Sequence, residues 1–81
     1  MTNIEEVEKI VTMFLKNTLH TEDVKIIKTS KLADGWYTEA EAYEESSFIK
    51  ALGLPTRVKD RNIYDIKLNT ELEVESYEQK H

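Results

Sequence analysis

An α+β fold, with an N-terminal amphipathic helix packed on a four-stranded antiparallel sheet and a short helix between strands two and three, follows from three features of the sequence. Apolar residues recur with a 3.6-residue period near the start, later segments alternate with a period of two, and short turn signals separate those segments. Each element then has one apolar side to bury. Laying a helix across one face of an antiparallel sheet buries them all.

The helix comes first. Ile4, Val7, Ile10, Val11, Phe14, Leu15 and Thr18 share one face, with Glu5, Lys9, Thr12 and Lys16 opposite. Thr2 followed by Glu5 has the form of a capping box, and Glu5, Glu6 and Glu8 suit the positive end of the helix dipole. Met13 falls outside the apolar arc. Asp23 to Leu32 is rich in β-branched residues and reads as the first strand. Val24 and Ile26 point one way and Ile27 the other, which leaves either a bulge or a half-covered outer face.

"LADG", residues 32–35, signals a hairpin turn into the second strand. There Trp36, Thr38, Ala40 and Ala42 alternate with Tyr37, Glu39, Glu41 and Tyr43. The alanines leave room for Val11, Phe14 and Leu15, and the glutamates face water. Propensity alone favours a helix here, but the Asp-Gly pair, Trp36 and the strict alternation decide for a strand. Ser46 or Ser47 caps a short helix bearing Phe48, Ile49 and Leu52, which Gly53 and Pro55 stop. If the stop is a Schellman turn, Leu54 touches Ile49. After a charged connector, Tyr64, Ile66 and Leu68 alternate with Ile63, Asp65 and Lys67 as the third strand. A tight turn at Asn69 and Thr70 leads to the fourth, where Leu72, Val74 and Ser76 oppose Glu73, Glu75 and Tyr77.

With 81 residues, one Pro and two Gly, residues 1–81 form a single small domain near the size at which one core suffices. The net charge of −5 opposes binding to nucleic acid or to an anionic membrane. The absence of Cys removes disulfides and thiolate chemistry and points to a reducing compartment. The acidic N-terminus and the lack of a membrane-length apolar run complete a cytoplasmic reading.

Little in the chain suggests catalysis. His20 and His81 lack a second ligand at usable spacing, and neither a nucleophile motif nor a Gly-rich phosphate loop is present. Glu39 and Glu41 could lie near Glu73 and Glu75 as a carboxylate cluster, or all four could belong to a solvated face. On an open sheet surface water keeps such groups ionised, so the expectation is no enzyme, no metal and no cofactor. Recognition is the better use for that face. Tyr37, Tyr43, Tyr77 and Ile63 would present rigid amphipathic surface to a partner protein, and Tyr is also simply a favoured strand residue. Phe48 and Leu54 could form a second contact or plug one end of the core. Unpaired edge strands could join two copies as a homodimer.

Three segments, "DGWYTEAEAYEE", "DRNIYDIKLN" and "ELEVESYE", resemble the gas vesicle protein O (GvpO) family, through Gly35, Trp36, Glu41, Glu44, Asp60, Tyr64, Ile66 and Tyr77. The chain departs from that pattern at Asn69, Thr70 and Leu72 in the last turn and at Gln79 near the end. The resemblance implies a non-enzymatic, cytoplasmic accessory protein that acts in gas vesicle formation through contacts with other vesicle proteins. The alternative is a small cystatin-like interaction or ligand-binding module of another pathway, with a carboxylate-based enzyme third.

Overall fold

The computed structural model describes residues 3–45, 51–53 and 59–80. Helix α1 (Ile4–Leu19) is followed by strands β1 (Val24–Leu32), β2 (Gly35–Glu45), β3 (Lys59–Asn69) and β4 (Val74–Lys80). The strands form one antiparallel sheet in the order β1-β2-β3-β4, so each pairs with its sequence neighbour. The predicted α+β architecture is therefore present, while the expected short helix between β2 and β3 falls largely outside the described residues. Gly53 does adopt the left-handed φ of 73° expected of a stop, but Leu52 is exposed.

The helix forms where its apolar period predicts, and Val7, Val11 and Leu15 are fully buried beneath it. Its cap is corrected by one residue. The cap is Asn3, whose backbone is extended and whose Oδ1 accepts from the Glu6 amide at 2.9 Å. His20 ends the helix in a left-handed conformation. Val7, Val11 and Leu15 meet Trp36, Ala40, Ala42, Tyr64, Ile66 and Leu68, with Phe14, Leu19, Val24 and Ile26 around the rim. The small alanines admit the helix as predicted.

Both edge strands carry a bulge. The β1–β2 register shifts between Ile26 and Lys28, leaving Ile27 as the extra residue, exposed on the edge. This decides the open question about the first strand in favour of a bulge. In β4 the shift lies between the pairs Leu68–Val74 and Lys67–Ser76, so Glu75 is extra. An extra residue exchanges the faces of everything beyond it. Tyr77 consequently lies on the helix side, opposite Ile66, rather than with Tyr37 and Tyr43.

Two boundaries differ from the sequence reading. Strand β3 begins at Lys59, because its polar start pairs along the full length of β2, down to Glu45 opposite Lys59. The β3–β4 turn spans Thr70 to Glu73, so Leu72 belongs to the turn. The Asn69 side chain holds it, its Oδ1 accepting from the amides of Glu71 and Glu73, each at 2.9 Å. Leu72 takes a left-handed φ of 65° there and packs against the rim of the core.

The molecule is elongated. Its radius of gyration is 14.0 Å, with extents of 46 × 21 × 17 Å, against about 12 Å for a compact chain of this length. Eleven-residue strands β2 and β3 run roughly 36 Å, longer than the roughly 24 Å of a 16-residue helix. The helix therefore roofs only part of its face. Among the described residues no helix is long and apolar enough to cross a membrane.

One core feature runs against the apolar pattern. Thr38 is fully buried, and its Oγ1 has no hydrogen-bond partner among the described residues; neither has Oγ1 of Thr29 directly opposite. An unsatisfied buried hydroxyl costs about 1–3 kcal/mol. Thr38→Val, which keeps a β-branched shape, is expected to raise stability by about 1 kcal/mol in urea denaturation. A lower midpoint would contradict the orphaned hydroxyl.

Candidate functional site

The face of the sheet away from α1 is covered by no element among the described residues. The register arranges it in rows that cross all four strands. Ser30, Tyr37, Lys67 and Ser76 form one row; Lys28, Glu39, Asp65 and Glu78 the next; Lys25, Glu41, Ile63 and Lys80 the third. Tyr43 and Arg61 follow at the end of β2 and β3.

In these rows the carboxylates on the two central strands are held by their neighbours. The Lys80 ammonium donates to Glu39 Oε2 at 2.8 Å, and Arg61 Nε donates to Glu41 Oε2 at 2.5 Å. Only 17% of the Glu39 side chain and 12% of Glu41 remain exposed, which corrects the expectation that these glutamates face water. The pairing holds the protons of both bases more firmly than usual, chiefly through the hydrogen bond each gives. At the rim Lys67 donates to Asp34 at 3.1 Å, lowering the Asp34 pKa. The centre of the face is thus a carpet of opposed charges.

Tyr37 donates its hydroxyl to Asp65 Oδ1 at 2.5 Å, with the Lys28 ammonium 5.9 Å from its ring centroid. That hydrogen bond, then burial and the carboxylate charge, push the phenol up to about 12. A raised folded-state pKa means that the stabilisation is complete below the unfolded value of 10.0 and is lost as pH rises through the folded value. Stability is therefore expected to fall between about pH 10 and 12, with a shallower fall in Tyr37→Phe. Equal slopes in urea titrations across that window would refute the Tyr37–Asp65 link.

The sequence-predicted residues separate. Tyr37, Tyr43 and Ile63 share the uncovered face, where Tyr43 is 37% exposed and Ile63 half-buried. Tyr77 joins the helix side, its ring edge-on to Phe14 at 5.2 Å and tilted toward Tyr64 at 6.5 Å. Phe48 and Leu54 lie outside the described residues. The carboxylate cluster does not form. Strand β3 separates Glu39 and Glu41 from β4, Glu75 sits in a bulge beside Lys67, and Glu73 accepts from Asn69 in the turn. Among the described residues no three His, Asp or Glu side chains are grouped to hold a metal ion.

A polar group on the helix side escaped the sequence reading. Glu44 Oε2 accepts from the Tyr64 hydroxyl at 2.7 Å and from Asn62 Nδ2 at 2.6 Å, while Gln79 donates to Asn62 Oδ1 at 3.1 Å. Burial first, and the hydrogen bond to Glu44 second, raise the Tyr64 pKa. The parity of β2 was the available signal, since it puts Glu44 on the face of Ala40 and Ala42. The depressions are open and shallow. One of about 260 Å³ lies over Tyr37, Asp65, Lys67, Ser76 and Glu78. Another, of about 460 Å³, adjoins the helix end at Leu19, His20 and Glu22.

Fold and faces define a two-layer α+β domain with one helix-covered and one uncovered sheet face. No protein-family model matches the chain, and no match appears among curated proteins or solved structures.

Proposed function

We propose that this chain is a non-enzymatic accessory protein that works by docking other proteins, gas vesicle proteins in the role implied by its resemblance to the gas vesicle protein O family. The observation that carries the reading is the uncovered sheet face, a broad surface where exposed Tyr43 and half-buried Tyr37 and Ile63 are interleaved with fixed charges of both signs. Such a mixture suits a non-obligate interface, where aromatic anchors supply area and charges set register. The carboxylates favour docking over catalysis. Glu39, Glu41 and Asp65 are engaged by Lys80, Arg61 and Tyr37, and Glu78 is exposed to water, so none of the four is poised in a dry cleft as an acid or base.

Purified, tagged chain should retain one or more gas vesicle proteins when they are co-expressed with it. Tyr43→Ser, placed on an exposed strand end, should lose most of that capture while remaining folded. No capture by the parent chain, or undiminished capture by the variant, would overturn the proposal. The helix-first order followed by a strand meander also supports the second reading, a small cystatin-like interaction or ligand-binding module with no vesicle link. In that case vesicle proteins are not retained.

A further inference from the structure

The two edges of the sheet are chemically unlike. Edge strand β1 carries Lys25, Lys28 and Lys31 and no acid. All three are exposed and lack an ion-pair partner among the described residues. Edge strand β4 carries Glu75, Glu78 and Lys80, and Lys80 is already committed to Glu39. What β4 offers outward is acidic. Each edge also presents exposed apolar side chains, Ile27 and Leu32 on β1 and Tyr77 on β4.

From this asymmetry we propose that copies of the chain associate head to tail, β1 of one copy pairing with β4 of the next. The geometry allows it without rearrangement. In a four-stranded antiparallel meander the two edges run in opposite directions, so a second copy set beside the first continues the ladder antiparallel, with both helices on the same side. One register matches faces and charges together. It sets Lys25 opposite Glu78 and Lys28 opposite Ser76 on the uncovered side, and Ile26 opposite Tyr77 and Thr29 opposite Val74 on the helix side. The two bulge residues, Ile27 and Glu75, then fall in neighbouring steps of the new ladder.

Symmetric pairings are poorer. Joining β1 to β1 brings three lysines against three, and joining β4 to β4 brings the acid-bearing strands together; like charges across a ladder repel. A head-to-tail contact does not close on itself, so it builds short chains of domains rather than a fixed dimer. The seam is short and belongs with weak interfaces below about 1,200 Å². Assembly therefore depends on concentration and weakens in salt.

Sedimentation velocity of the full chain over two decades of concentration, at low and high salt, tests this. Mass is expected to grow past the dimer as concentration rises, and less so at high salt. Lys25→Glu and Glu78→Lys should each raise the concentration needed for half-association by roughly tenfold. The double charge swap, Lys25→Glu with Glu78→Lys, should restore it. Glu78 is exposed and stands opposite Asp65, so reversing its charge removes a like-charge neighbour and leaves folding intact, which circular dichroism checks. A monomer at every concentration, growth that stops at the dimer, single variants that associate normally, or a double variant that stays monomeric would each overturn the proposal.

Discussion

Gly35→Ala is expected to leave the domain unfolded or barely folded. An added Cβ would sit 1.9 Å from the Leu68 carbonyl oxygen and 2.9 Å from its carbon, both backbone atoms that no rotamer change can move aside. The Gly35 φ of 151° is also one that residues with a side chain rarely adopt. Overpacking and backbone strain together cost on the order of 3–5 kcal/mol, comparable to the whole stability of a domain this small. Loss of a cooperative thermal transition is the expected readout. A midpoint close to that of the parent would contradict this close approach of β2 and β3.

Leu15→Ala is expected to cost about 2–5 kcal/mol in urea denaturation. Leu15 is completely buried in the core between α1 and the sheet, so truncation leaves a cavity in the layer that joins them. Met13→Ala, two residues away and 56% exposed, should stay within about 0.5 kcal/mol of the parent. Similar losses for the two would mean that the helix is seated on a different face.

Much of this architecture was legible because period and burial coincide. Val7, Val11 and Leu15 repeat at the helical period, and Trp36, Thr38, Ala40 and Ala42 repeat at the strand period, so the buried face of each followed from spacing alone. Gly35 was read as part of the turn, yet the turn residues are Ala33 and Asp34, and Gly35 already pairs with Leu32 at the head of β2. Its real constraint is the neighbouring β3 backbone, which local sequence does not reveal.

The site was harder to read, because what decides it is pairing between distant segments. A bulge at Glu75 put Tyr77 on the other face, and "VESYEQK" read alone shows only unbroken alternation. Lys80 and Arg61 cover Glu39 and Glu41 from strands 41 and 20 residues away in sequence, which turned an expected solvated row into ion pairs. Polar Lys59 to Asn62 resembled a connector because their strand character comes from a long partner, β2, not from their own composition.

The edge-on meeting of Phe14 and Tyr77 has a consequence for how the chain reaches this state. Every ladder joins consecutive strands, so the sheet can zip up through nearby partners, whereas this aromatic pair joins the first element to the last across nearly the full length of the polypeptide. It is a clasp between the two ends. Its closure should come late and cheaply, so loosening it should speed unfolding far more than it slows folding.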